Sequence, residues 1–184
     1  GETNSTDVDN QAAVFSVFAE YSPGFVSGLT LGVDYIPGTA DVSNEVKSRT
    51  DTETSVTSTA TETTTSRSQS AQAEIEDHMT LYAQYDLMGS GVYLKLGFVQ
   101  VDLNTTESLA TGSKYGNETL DGVYYGIGAQ SDIGAGFMRL ELAAIDYDDI
   151  SLSSSVARAG VTTNNKIDAD LDVTMFKASY LYKF

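Results

Sequence analysis

Residues Asp172–Phe184 read DVTMFKASYLYKF, and this stretch decides the fold. Side chains of a β-strand alternate between two faces. Counting back in twos puts Phe184, Tyr182, Tyr180, Ala178, Phe176 and Thr174 on one face. The other face holds Lys183, Leu181, Ser179, Lys177, Met175 and Val173. One face is therefore aromatic or apolar along nearly its whole length, while the other carries two lysines. That is the form of a strand with one face against lipid.

Seven segments alternate in this way, roughly Ala12–Ser22, Val26–Tyr35, Ile75–Leu87, Gly91–Leu103, Leu120–Ser131, Gly136–Tyr147 and Leu171–Phe184. Three joins between them are tight and contain glycine: Pro23-Gly24-Phe25, Met88-Gly89-Ser90 and Ile133-Gly134-Ala135. Three are long and polar, at about 36–74, 104–119 and 148–170. Three hairpins also align as a loose internal repeat, beginning FAEYSPGF, YAQYDLMGSG and IGAQSDIGAG. Tight turns at one end and long loops at the other are the sequence form of a membrane β-barrel.

Composition agrees. The 184 residues suit one domain spanning 1–184. No run of about 18 apolar residues is present, so no segment reads as a transmembrane helix. Without cysteine there is neither a disulfide framework nor a thiolate metal site. Thr, Ser, Val and Tyr outweigh Leu, Lys and Glu, which favours strands. A net charge of −16 argues against a nucleic-acid partner.

The apolar faces comprise Phe15, Val17, Ala19 and Tyr21; Leu29, Leu31, Val33 and Tyr35; Met79, Leu81, Ala83, Tyr85 and Leu87. They continue with Val92, Leu94, Leu96 and Phe98; Val123, Tyr125, Ile127 and Ala129; Met138, Leu140, Leu142 and Ala144. The opposite faces carry Glu20, Asp34, His78, Gln84, Lys95, Gln130, Arg139, Glu141 and Lys177, with Gly32, Gly97, Gly126 and Gly128 between them. A soluble barrel shows the same alternation with the faces exchanged. Two features favour the membrane form. Glu20, Lys95, Arg139, Glu141 and Lys177 are of both signs and can satisfy one another inside a narrow lumen. Tyr21, Tyr85 and Phe184 near the tight-turn end, with Tyr35 and Phe98 farther along, look like interfacial aromatic girdles.

With Tyr180, Tyr182 and Phe184 in step, the last strand resembles the C-terminal recognition strand of bacterial outer-membrane β-barrels. The whole chain resembles the small OmpA/OmpX-like eight-stranded class. The resemblance implies a bacterial outer-membrane location, recognition of the last strand by the barrel-assembly machinery, and contact with outer-membrane lipid and lipopolysaccharide. It also implies that Phe184 lies on the periplasmic side, which places the three long loops outside the cell. By that count the first and last strands run in the same direction. An eight-stranded antiparallel barrel then calls for one further outward-running strand of about ten residues, ahead of Ala12–Ser22. The alternative is a seven-stranded barrel closed by one parallel pair.

For chemistry, the lone His78 shares its polar face with Glu76 and Thr80 and reads as a lumen or rim histidine; no nucleophile-elbow motif accompanies it. No catalytic or cofactor-binding residue is expected. Asp146 and Asp148 face Asp168 and Asp170 across one long loop; Asp168, Asp170 and Asp172 share parity. Such carboxylates can hold a divalent cation such as Ca²⁺, though acidic loop ends in water are the plainer reading. The Thr/Ser-rich part of the 36–74 loop reads either as a hairpin that extends the wall or as a tether. The expectation is a non-enzymatic barrel with a plugged polar lumen, whose surface loops serve adhesion, phage attachment or an oligomer partner. A small-solute channel is the alternative.

Overall fold

A computed structural model describes residues 7, 9–42, 47–56, 62–87, 89–108, 113–155 and 166–182. Phe184, one of the three expected assembly-signal residues, lies outside them. The described residues form ten strands: β1 Val17–Tyr21, β2 Leu29–Asp41, β3 Lys47–Val56, β4 Glu62–Asp86, β5 Val92–Ser108, β6 Glu118–Ile133, β7 Gly136–Tyr147, β8 Ile150–Ser153, β9 Lys166–Ala169 and β10 Asp172–Tyr182. The fold is all-β.

Seven strands form one antiparallel sheet in the order β1-β2-β4-β5-β6-β7-β10; β3 pairs with the outer part of β4, and β8 and β9 form a separate hairpin. The sheet follows chain order, as expected for a meander of hairpins. It is tight at the expected turns. Between β6 and β7 the register runs through to Ile133↔Gly136, leaving a two-residue loop with Gly134 at φ +60, a conformation that L side chains rarely adopt. The sheet curls, because side chains from its two ends meet: Lys177 of β10 pairs with Asp34 of β2, and Arg139 of β7 pairs with Glu20 of β1 at 2.5 Å.

Toward the tight-turn end the sidedness is inverted relative to an ordinary globular sheet. The outward positions are apolar and open, including Phe98 at 75% exposure and Phe176 at 72%. The inward positions Arg139 and Glu141 are 4% and 2% exposed. Toward the long-loop end the two faces exchange character. Val99, Val101, Leu103, Leu120, Ala143, Ile145 and Tyr147 become the buried apolar core, joined by Ile150 and Leu152 of β8. The outward positions there are polar: Gln100 bonds Asp121 at 2.9 Å, Thr119 bonds Asp102 at 2.7 Å, and Asn104 bonds Glu76.

A bulge marks this change on β4. Between Glu76 and Met79, β4 carries one residue more than β5 opposite. Asp77 sits there at φ +53, and its carboxylate accepts the Tyr35 hydroxyl at 2.6 Å. A one-residue slip turns every later side chain to the other face. Hence Ile75, opposite Leu103, packs on the core, while Glu76, opposite Asp102, faces outward. Strict period two put Glu76 on the face of His78 and Thr80; the bulge separates them.

The long connections also differ from simple loops. Much of 36–74 is strand: β2 runs on to Asp41, and β3 pairs with β4 from Lys47↔Ala71 to Val56↔Glu62. This is the hairpin reading of the Thr/Ser stretch, supported by the strand preference of Thr. The 104–119 connection is largely absorbed by β5 and β6, and 148–170 contains the β8–β9 hairpin.

Candidate functional site

The site is the lumen on the inward face of the curled sheet, toward its tight-turn end. Three ion pairs occupy it: Lys95–Glu141 at 2.7 Å, Arg139–Glu20 at 2.5 Å, and Lys177–Asp34. All five expected ionic residues, Glu20, Lys95, Arg139, Glu141 and Lys177, come together here. Asp34 joins them as a sixth. Among the described residues three acids meet three bases there, so the paired charges cancel.

Tyrosines bind the pairs into one network. Glu141 accepts the Tyr93 hydroxyl at 2.7 Å and also the Tyr124 hydroxyl. Glu20 accepts the Tyr82 hydroxyl at 2.7 Å. The Lys95 ammonium lies 4.4 Å from the Tyr82 ring centre, with Tyr93 and Tyr124 within 6 Å. Arg139 also donates from Nε to Gln130 Oε1 at 2.9 Å. Charge-assisted bonds of this kind are about twice as strong as neutral ones, and every charge here needs them, since an unpaired buried ion is strongly unfavourable.

Glycines make room for these rings. A Cβ on Gly32 would lie 2.3 Å from Tyr82 Cζ. One on Gly128 would lie 2.4 Å from the Tyr93 hydroxyl. Sequence reading found the glycines of this face but missed Tyr82, Tyr93 and Tyr124 as their complements. The signal was available: all three tyrosines share parity with the ionic residues of their own strands or register partners.

His78 lies where the charged lumen meets the apolar cap. It is buried, its Nε2 lies 3.1 Å from Thr80 Oγ1, and Tyr147 OH is 3.5 Å from Nδ1. Beyond it, toward the long-loop end, lies the buried apolar cluster that includes Val101, Ile145 and Tyr147.

Of the four acidic residues expected to hold a cation, Asp168 and Asp170 line one surface pocket, while Asp146 belongs to the main sheet. Asp146 is an exposed outward residue of β7, paired with Asp172. Asp168 lies in β9, a different sheet, and pairs with Lys166 at 2.7 Å. Its carboxyl is held below the usual aspartate value of 3.8, first by the Lys166 hydrogen bond. Asp148 and Asp170 are exposed and lie outside the strands. The shared parity of Asp168, Asp170 and Asp172 breaks at the β9–β10 junction, where Asp170 and Leu171 leave the ladder. Among the described residues no group of three His, Cys, Asp or Glu comes together as a metal site. Tyr180 and Tyr182 lie on the exposed face of β10, beside the Met138 and Gly136 positions of β7.

No family model matches this chain, nor does any curated protein or solved structure.

Proposed function

We propose that the chain is an integral outer-membrane β-barrel of structural rather than enzymatic role, with a plugged polar lumen and a polar arm raised above the membrane. The observation that carries this reading is the exchange of sidedness along the strands. Apolar side chains face out over one belt and face in beyond it. A soluble barrel has no reason to change in this way, whereas a wall that leaves lipid and enters water does. The outward apolar run from Met79 on β4 to Leu87 just past its end covers nine residues. At about 3.3 Å per residue and a tilt of about 40° that is roughly 20 Å, near the height of an outer-membrane apolar belt.

In this reading the polar end faces the exterior. There β3 and the outer part of β4 carry the Thr/Ser hairpin, a surface available to lipopolysaccharide, a phage or another cell. The charge is distributed accordingly. Among the described residues the three lumen ion pairs balance, so they contribute nothing to the formal −16. The lumen serves as a plug: its ions are paired at contact distance, its rings fill the space beside the glycines, and the apolar cap lies above. A small-solute channel would need a continuous water path through both.

The folded protein is expected to require detergent and to migrate faster on a gel before heating than after. It should give no stable conductance in a planar bilayer. Solubility without detergent would defeat the membrane reading, and steady single-channel currents would replace the plug with the channel.

A further inference from the structure

The polar arm carries an inference that rests on the barrel reading and names a partner for it. β4 runs as one strand, Glu62–Asp86, from the apolar belt into the arm. Its pairing with β5 ends at Ser70↔Ser108. Beyond that level the arm is the two-stranded ribbon of β3 and β4 among the described residues, and β3 has no second neighbour there. Ser48, Thr50, Ser66 and Ser68 of the ribbon are exposed. A two-stranded ribbon is marginal in water, and its open edge is a template for another strand.

The open strand begins Lys47-Ser48-Arg49-Thr50-Asp51-Thr52-Glu53. Charged residues take alternate positions, bases first and acids after, with hydroxyl residues between them. Across the ribbon, Lys47 stands opposite Ala71, Arg49 opposite Gln69 and Glu53 opposite Thr65; of the four, Asp51 alone stands opposite a charged residue, Arg67. A second β3 laid antiparallel, with Thr50 opposite Thr50, sets Lys47 opposite Glu53, Arg49 opposite Asp51 and Ser48 opposite Thr52, each twice by symmetry. Every position from 47 to 53 is then matched, base to acid and hydroxyl to hydroxyl. Charges guard an edge strand against strangers. This segregated order admits its own antiparallel copy. Laid parallel and level, the same strands set each charge beside its like.

We infer that the open edge of β3 docks β3 of a second copy of this chain, held in a facing membrane. The two-fold axis between antiparallel strands of one sheet stands perpendicular to that sheet. The arm continues the barrel wall, so the axis lies parallel to the membrane, and rotation about it turns the second copy over. Two copies side by side in one membrane instead present β3 in the parallel sense, with like charges level. Thr50 is opposite Ser68, which lies about 11 residues along β4 from Met79 at the top of the belt, or roughly 28 Å above it. The two facing belts then stand roughly 55 Å apart. One such contact is short, but many arms engaged between two membranes act together. The partner is therefore a cell that carries the same protein.

The test places the full-length protein in phosphatidylcholine vesicles, each population carrying its own dye. Parent vesicles are expected to cluster with one another and to leave protein-free vesicles alone. A reversed variant carries Lys47→Glu, Arg49→Asp, Asp51→Arg and Glu53→Lys, with Arg67→Asp to keep opposite charges across the ribbon. Its vesicles should also cluster with one another, because positions 47 and 53, and 49 and 51, still differ in sign. Mixed with the parent they should sort, with mixed contacts at least about ten-fold rarer than like ones, because every facing pair then repels. Parallel pairing predicts the opposite, contact of parent with reversed. The chain has no cysteine. Thr50→Cys alone should therefore give a disulfide-linked dimer, whereas Ser48→Cys alone, with its two copies about 14 Å apart, should not. Thr50→Cys with Ser68→Cys in one chain, register partners, is the control that the ribbon has formed. Parent vesicles that stay apart, free mixing of parent with reversed, recruitment of protein-free vesicles, a Ser48→Cys dimer or a failed ribbon control overturns the proposal. Detergent dependence and heat-modifiable migration are measured separately, so failure here leaves the membrane reading standing.

Discussion

Replacing Glu141 by glutamine removes one negative charge from the most heavily shared acid in the lumen. Its carboxylate is 2% exposed, pairs with Lys95 at 2.7 Å and accepts two tyrosine hydroxyls. Glutamine preserves the shape. What remains is Lys95, 8% exposed and without its counter-ion. Stranding one member of a buried pair costs about 3–5 kcal/mol. Lys95→Met leaves the reverse problem and should cost a similar amount. Removing both charges together should be far milder, because replacing a whole buried pair by neutral groups is often close to neutral. The expected cycle is therefore strongly non-additive, with a coupling energy of about 3 kcal/mol or more. The assay is urea unfolding in lipid vesicles, followed by the loss of heat-modifiable migration and by far-UV circular dichroism; the chain has no tryptophan to report. Single variants within about 1 kcal/mol of the parent, or costs that simply add, would refute a dry, coupled lumen and point to hydrated, independent charges.

Three further outcomes follow from the same geometry. Leu96→Arg, on the outward apolar belt, should cost about 2–4 kcal/mol of stability in vesicles, whereas Gln100→Arg, two pleats farther along β5, should cost about 0–1 kcal/mol; equal costs would remove the proposed boundary. Gly32→Ala drives a methyl into the Tyr82 ring and threatens its bond to Glu20, so a loss of about 3 kcal/mol is expected; adding Tyr82→Leu should recover part of it, and no recovery would show that the ring is not the obstacle. Asp168 should titrate below 3.8 by carboxyl NMR. Its folded value is depressed, so its contribution to the β8–β9 hairpin is present above the unfolded value and fades as pH falls through the folded one. With both partners well exposed the effect on the hairpin should be small, and Lys166→Met should raise Asp168 toward the ordinary value, with the Ser151 hydrogen bond still opposing.

The faces of the apolar belt were legible in the sequence because period two survives through it in each strand, β4 losing it only beyond the belt, at the Asp77 bulge. Leu94, Leu96 and Phe98 point outward as counted, as do Leu140, Leu142, Phe176 and Tyr180. The ionic residues were legible for the same reason. Their partners were harder to read. Asp34 and Lys177 lie 143 positions apart, and only the curl of the sheet brings them together. Tyr82, Tyr93 and Tyr124 were missed because tyrosine suits a girdle as well as a lumen; the glycines opposite them decide, and that pairing depends on register. The Asp77 bulge was missed because Asp does not announce a left-handed backbone as Gly does.

The exchange of sidedness itself was written in the sequence, though not as a break in alternation. On β5 the apolar set runs 92, 94, 96, 98 and then 99, 101, 103. On β7 it runs 138, 140, 142 and then 143, 145, 147. On β10 the order is reversed, 173 and 175 before 176, 178 and 180. Each strand keeps its pleat while its apolar phase slips by one residue. β4 takes a bulge, because there Ile75 and Ala73 would otherwise face outward, and the β2–β4 register shifts at the same level, between Ile36 and Thr39. A phase slip within a single strand reads as noise. Its repetition on three strands, in the direction each strand runs, is a level at which the solvent changes. If that level is the membrane surface, the slip locates the interface more sharply than the aromatic girdles do. Aromatics mark an interface by preference, whereas the slip reports which face is wet on either side of it.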